Sequence, residues 1–268
     1  MPLSTHRWVV RRWDSSSCDL LDPDAVRAAF AGRPGGDRYV FCAAKVPSRG
    51  DSADAGADNQ RMLDHLLHAL AGSCAHFVFL SSVDVYGPPL DGAVLDESSP
   101  LAPDGPYAES KVWSEKRLRA VDIRFPVTTF RLPGVYGPSD GLRSTAGLLA
   151  RKILEGDTIT LPPQTVLRDF VTAADVAALT ESALATGTVG TYVAASGYSL
   201  SLRRIVALLE RGLELPASVA TRTEPSQRDA DLRFDTRRLH EAFGDVEMTP
   251  MTTGLVRYGE WVRHGMNQ

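Results

Sequence analysis

The sequence predicts an α/β fold with a mostly parallel sheet. Two observations predict it. Short apolar runs of strand length, Tyr39-Val-Phe-Cys-Ala-Ala44 and Phe77-Val-Phe-Leu80, lack polar alternation, as strands buried on both faces do. Segments of helical period alternate with them along the chain, which is the pattern of a sheet flanked by helices.

The elements follow in order. Arg7-Trp-Val-Val-Arg-Arg-Trp13 is a short apolar and aromatic run, read as a strand. Asp14-Ser-Ser-Ser17 is a loop. Asp22-Pro-Asp-Ala opens a helix through Phe30, with acidic residues in its first turn and Gly32 just beyond its end. Residues 39–44 form a strand and residues 45–57 a polar loop. Asn59 to Leu70 carries Met62, Leu63, Leu66, Leu67 and Leu70 on one helical stripe, and Gly72 ends it. Phe77 to Leu80 is the next strand, and a long Pro/Gly/Asp-rich loop then runs to Pro106, a length that points to function. Tyr107 to Val121 is helical, and Val127 to Leu132 is a strand. Helices are predicted at 143–155, 173–186, 202–213, 235–243 and 254–265, with strands near 157–161, 166–171 and 190–195. Residues 216–231 read as a polar connector. One domain spans 1–268: a core over 1–160, then mixed core and a small C-terminal lobe over 161–268.

Composition narrows the function. The chain has 268 residues, 43% of them hydrophobic and 23% charged, enough for a sizeable core in a soluble globular protein. A net charge of -4 gives no reason to expect nucleic acid. No apolar run approaches membrane-spanning length, and the start, Met-Pro-Leu-Ser-Thr-His-Arg-Trp, lacks the apolar core of a signal peptide. Cys18, Cys42 and Cys74 have neither metal nor redox spacing, so reduced thiols and a cytoplasmic location are expected. His65 and His68, one turn apart without a carboxylate or cysteine partner, read as surface residues rather than a metal site. Trp113 and Trp261 read as packing residues.

Chemistry concentrates in the middle of the chain. Tyr107 and Lys111 lie four residues apart on a predicted helix and share a face. An ammonium beside a phenol favours the phenolate, which makes the phenol a usable acid or base near neutral pH. Ser81 and Ser82 stand at the C-terminal end of a strand, where ligands bind in open α/β sheets.

These residues, in Ser81-Ser-Val-Asp-Val-Tyr-Gly87 and Pro106-Tyr-Ala-Glu-Ser-Lys111, resemble the extended short-chain dehydrogenase/reductase family, in its epimerase and dehydratase branch. Arg131-Leu-Pro-Gly-Val-Tyr-Gly-Pro138 and Arg168-Asp-Phe-Val-Thr-Ala-Ala-Asp-Val-Ala177 strengthen the resemblance, which runs from about Asp19 to the C-terminus. It implies a Rossmann-like, doubly wound parallel sheet with a C-terminal substrate lobe. It implies Ser82 as the substrate-binding hydroxyl, Tyr107 as the acid/base and Lys111 as its electrostatic partner. Ser81, Asp84, Tyr136 and Arg168 would face substrate; Arg168 could equally pair with a carboxylate such as Asp175. Asp84 stands where sugar dehydratases carry the second residue of an Asp-Glu pair, but Val83 replaces the first. Asp19, Leu20, Ala43 and Ala44 would lie toward a dinucleotide, NAD(P) if any. The resemblance also implies a homodimer through helices 59–70 and 107–121.

One family element has no counterpart here: the first strand, its Gly-x-x-Gly-x-x-Gly turn and the following helix, which together grip the pyrophosphate. The fold is therefore expected to be truncated at its N-terminal end. Gly32-Arg-Pro-Gly-Gly36 precedes a strand and reads as an ordinary turn. Residues 7–13 are expected to fill the central strand position, with the helix after Asp22 taking the place of the first helix. Three functions stay open at this point. The first is acid–base chemistry on a small metabolite without a redox dinucleotide: isomerisation, elimination or cyclisation. The second is an NAD(P)-dependent epimerase, dehydratase or reductase with an unusual phosphate loop. The third is a non-catalytic metabolite or nucleotide sensor.

Overall fold

The computed structural model describes residues 8–33, 35–46, 53–70, 74–88, 92–138, 140–226 and 229–265. Arg7, the middle of the loop 45–57, Gly72 and residues 89–91 of the long loop fall outside them, as does Pro34 of the glycine cluster. Four parallel strands form the central sheet in the order β1 (Asp37–Phe41), β2 (Cys74–Ser82), β3 (Val127–Leu132) and β8 (Gly190–Val193).

Alternation along β1 shows how the two faces differ. Tyr39 and Phe41 point to one face, where they pack with Phe77 and Phe79 of β2. That face is covered by α1 (Pro23–Phe30), α2 (Ala53–Ala69) and α3 (Pro106–Leu118). The stripe predicted on α2 is used here: Met62, Leu63, Leu66 and Leu67 are all buried against the chain's own core. On the opposite face, Val78 of β2 packs with Val176, Leu179 and Ala183 of α5 (Ala173–Thr186) and with α7 (Arg237–Phe243). The cover stops there, and Val40, the β1 residue on that face, is 42% exposed.

Two expectations about the N-terminal segment are corrected. Residues 8–13 belong to no strand, and β1 is the edge of the sheet, paired only with β2 among the described residues. Val9 and Val10 are exposed, so the apolar run does not bury itself in a ladder. Nor does α1 take a first helix's place behind the open edge. Its Phe30 packs on Tyr39 and Trp13, with Arg33 over the Trp13 ring, which draws it to the α2 side. Asp22 caps α1 by accepting from the Asp24 and Ala25 N–H groups, and Pro23 opens it.

The second body of the fold gathers α4 (Thr145–Glu155), α6 (Leu202–Leu213) and α8 (Met251–Gly265) around their own apolar cluster. Gly212 and Gly259 let α6 and α8 touch backbone to backbone; a Cβ on Gly212 would lie 2.9 Å from the Gly259 Cα. The expected connector 216–231 contains a short strand, β10 (Ser218–Thr221), paired with β5 (Thr158–Leu161). Gly134–Tyr136 forms β4, paired with β7 (Phe170–Thr172), and Leu167–Arg168 forms β6, paired with β9 (Leu200–Ser201). No helix among the described residues is long and apolar enough to cross a membrane.

Candidate active site

A cavity of about 1160 Å³ opens at the C-terminal ends of β1, β2 and β3. Ser81, Ser82, Asp84, Tyr107, Lys111, Arg168 and Ala44 all line it, so the structure brings most of the residues singled out in the sequence to one place. Cys42 and Arg143, which sequence reasoning did not single out, line it too.

Each side chain is set by its local structure. β2 runs one residue past the buried core to Ser82, whose hydroxyl then accepts the Asp84 N–H and caps the 3₁₀ turn Val83–Tyr86. Gly87 ends that turn with φ +65°, and a Cβ there would collide with the Ala102 carbonyl. Asp84 is exposed at the cavity wall. Pro106 opens α3, so Tyr107 stands at its mouth and Lys111 one turn deeper.

Lys111 is buried, and its Nζ donates to the Leu80 carbonyl at 2.7 Å. The ammonium lies 4.8 Å from the Phe79 ring centre and 5.6 Å from that of Tyr107. Burial pulls its pKa down to about 8, against the opposing pull of Cys42, Glu115 and Asp84. A lysine so placed holds its charge at neutral pH and is poised to lose it just above.

Behind this wall lies an ion pair that the sequence reading missed. Glu115 takes the Arg131 guanidinium through Nε at 3.0 Å and Nη2 at 2.8 Å, and also accepts the Ser81 hydroxyl at 2.7 Å. Burial opposes the Arg131 charge, but the hydrogen bonds and charge of Glu115 more than offset it and raise the guanidinium above its usual range. The available signal was spacing: Glu115 follows Lys111 by the same four residues that separate Lys111 from Tyr107.

Several residues are corrected. Tyr136 does not reach the cavity. Its phenol is buried against Phe170 and Tyr258 and close to Gly254, and burial, with Asp175 nearby, raises its pKa. Asp19 and Leu20 lie on the α2 side, where the Asp19 carboxylate accepts the Leu21 N–H and the Leu20 carbonyl bonds His65. Ala43 packs against the core there rather than lining the cavity. Arg168 pairs with no carboxylate at Asp175, which instead completes the capping box of α5 and binds Thr249. Its Nη1 donates to the Leu167 and Ala230 carbonyls, and burial lowers its pKa, opposed by Asp229 and Asp231. Among the described residues, no cluster of histidine, cysteine or carboxylate side chains could hold a metal ion.

Comparison with known proteins agrees with this architecture. The sequence model of the NAD dependent epimerase/dehydratase family matches residues 4–195. The chain is 32% identical over 211 residues to dTDP-6-deoxy-L-talose 4-dehydrogenase (NAD(P)(+)) of Kitasatospora kifunensis, covering 73% of this chain and 65% of that one. It is 42% identical over 64 residues to human dTDP-D-glucose 4,6-dehydratase, covering 23% of this chain and 18% of that one. It thus spans less than two thirds of these curated relatives. The solved structure of RMD from Pseudomonas aeruginosa, complexed with NADPH, shares the fold with a TM-score of 0.79 at 23% identity, covering 95% of this chain and 88% of that one. The chain belongs to the NAD dependent epimerase/dehydratase family.

The family implies a dinucleotide, and the described residues do not fit its pyrophosphate. In Asp14-Ser-Ser-Ser17 the N–H groups of Ser16 and Ser17 are already taken by the Asp14 carboxylate, which the Ser16 hydroxyl first, and then these bonds, hold below its usual pKa. That turn spends these two N–H groups on itself, and it lies outside the cavity lining. Gly134 is the one glycine among the described cavity residues, and a Cβ there would enter the Phe170 ring. It serves packing rather than a phosphate. Of the helix N-termini at the cavity, α4 and α5 are capped by their own hydroxyls, Ser144 and Thr172, while α3 opens at Pro106 with no side-chain cap.

Proposed function

We propose that this family member is an enzyme of proton transfer, with Tyr107 as acid/base, Lys111 as its electrostatic partner and Ser82 as the hydroxyl that binds the reacting oxygen. The observation that carries the reading is the buried Lys111, with a pKa near 8, lining one cavity with Tyr107 and Ser82. Below that pH the ammonium stabilises a phenolate on Tyr107, so the phenol can take a proton from a hydroxyl or from a carbon beside a carbonyl, and return it elsewhere. Isomerisation, elimination or cyclisation of a small metabolite needs no hydride and fits such a site. Arg143 and Arg168 on the same cavity wall favour an anionic substrate. Asp84, exposed beside Ser82, is a second proton carrier within the cavity.

A second reading, an NAD(P)-dependent epimerase, dehydratase or reductase, is favoured by the family and by the talose dehydrogenase relative. Calorimetric titration with NAD(H) and NADP(H) separates the two. The first reading expects no binding below millimolar concentration; micromolar binding would overturn it. Under either, Tyr107→Phe abolishes turnover by removing the transferable proton, and a native rate in that variant would leave only a binding role. A homodimer through α2 and α3, as the family resemblance implies, is part of this reading; sedimentation velocity tests it, and a monomer at working concentration would overturn it.

A further inference from the structure

We infer that Glu115, held by Arg131, is a positioning residue that sets the charge of Lys111 and the placement of the segment bearing Ser82 and Asp84. Tyr107, Lys111 and Glu115 occupy successive turns along one side of α3. Glu115 and Arg131 are 1% and 2% exposed, so each depends on the other for its charge. Such a pair is not needed for stability, since apolar residues of the same volume often serve a core as well or better. What this pair does is grip the segment 81–86 at both ends. Glu115 accepts the Ser81 hydroxyl at one end. Arg131 Nη1 donates to the Tyr86 hydroxyl at the other, at 2.9 Å. Tyr86 in turn donates to the Asp96 carbonyl, and Arg131 also donates to the Glu97 carbonyl, so the long loop before α3 is tied to the same pair. Ser82 and Asp84 lie between the two grips.

The same carboxylate acts on Lys111. The groups facing that ammonium are Cys42 from the end of β1, Asp84 from the turn, the Leu80 carbonyl and Phe79 ring from β2, and Tyr107 and Glu115 from its own helix. Burial disfavours its charge, and Glu115 is one of the few groups that favour it.

This role deepens the acid–base reading and rests on it for its purpose, but its test needs no substrate. Lys111 is titrated in the folded protein by brief labelling with acetic anhydride across pH 6–11, followed by peptide mass spectrometry. Hydrogen exchange is followed over residues 81–86 and, as an internal control, over α6. Two variants are used: Glu115→Gln, and the double variant Glu115→Leu with Arg131→Met, which keeps the core filled if the single variant fails to fold. The expected result in Glu115→Gln is a Lys111 midpoint lower by about one pH unit; in both variants exchange over 81–86 is faster and exchange over α6 unchanged. A native midpoint in Glu115→Gln, or native exchange over 81–86 in either variant, overturns the inference and leaves the pair as core filling. Loss of turnover in Tyr107→Phe is independent of either result, so failure here and failure of the acid–base reading are distinguishable.

Discussion

The charge on Lys111 costs the fold stability, and the cost can be measured. Its pKa falls from the ordinary 10.5 to about 8. At about 1.4 kcal/mol for each pH unit, that fall of about 2.5 corresponds to about 3.4 kcal/mol. The sign follows from proton counting. Below pH 8 the lysine is charged in both the folded and the unfolded chain, and the full cost of burying the ammonium is present. Between pH 8 and 10.5 the unfolded chain keeps the proton while the folded one releases it, so stability rises with pH. Above 10.5 both are neutral and the cost is gone. Lys111→Met removes this titration while keeping similar volume. It also removes the hydrogen bond to the Leu80 carbonyl, worth about 1 kcal/mol. The variant is therefore expected to be more stable than the native protein by about 2 kcal/mol at pH 7. The advantage should shrink and reverse as pH approaches 11. Urea unfolding at intervals between pH 7 and 11, followed by tryptophan fluorescence, gives both curves. Both curves are taken in the Tyr107→Phe background, since the ammonium acts on that phenol, and lysines and tyrosines remote from Lys111 cancel in the difference. Two stability curves that run parallel across this range would refute the reasoning.

Two further variants test the architecture. Gly212→Ala would drive a methyl group into the α8 backbone at Val256 and Gly259, and should lower stability by about 3 kcal/mol in urea unfolding, with loss of cooperativity in the second body first. Val40→Asp, on the uncovered face of β1, should change stability by less than about 1 kcal/mol, whereas Phe41→Asp, buried between α2 and Phe77, should prevent folding.

Much of this fold was legible because its signals are local. Asp22-Pro23 starts α1 and the Thr172 and Asp175 capping box starts α5 at the positions the sequence indicates, while the Met62–Leu70 stripe marks α2 but not its start, which lies at Ala53 inside the expected loop 45–57. Strand pairing is not local. Residues 8–13 carry the residue types of a strand, but nothing in them says whether a neighbour offers its ladder. In the structure Trp8 instead lies against the Arg38 guanidinium, 5.3 Å from ring centre to Cζ, and the two valines beside it stay in water. The site divides in the same way. Ser82, Tyr107 and Lys111 were readable from spacing and strand-end position. Tyr136 was not, since its segment leads into a helical cluster whose closeness to β4 depends on Gly254, far along the chain. Glu115 went unread because a carboxylate on a helix is ordinarily a solvated surface residue, and only the guanidinium supplied by β3 turns it into a buried one.

The environment of Lys111 bears on which chemistry the cavity supports. Its desolvation comes from the protein alone: the Phe79 ring, the Leu80 carbonyl and the packing of α3 on β2. Burial among these groups lowers the Lys111 pKa, and the proposed proton transfer would draw on that placement. Beyond α5, by contrast, β1 leaves Val40 uncovered and the cavity open, and the turn at Asp14 turns a carboxylate toward its own serines. The wall that carries Ser82, Tyr107 and Lys111 is braced from behind by the buried Glu115–Arg131 pair, while the N–H groups of Ser16 and Ser17 are spent on their own loop. Under the proposed acid–base reading, a dinucleotide that bound at micromolar concentration would have to find its grip at residues other than the Asp14 turn.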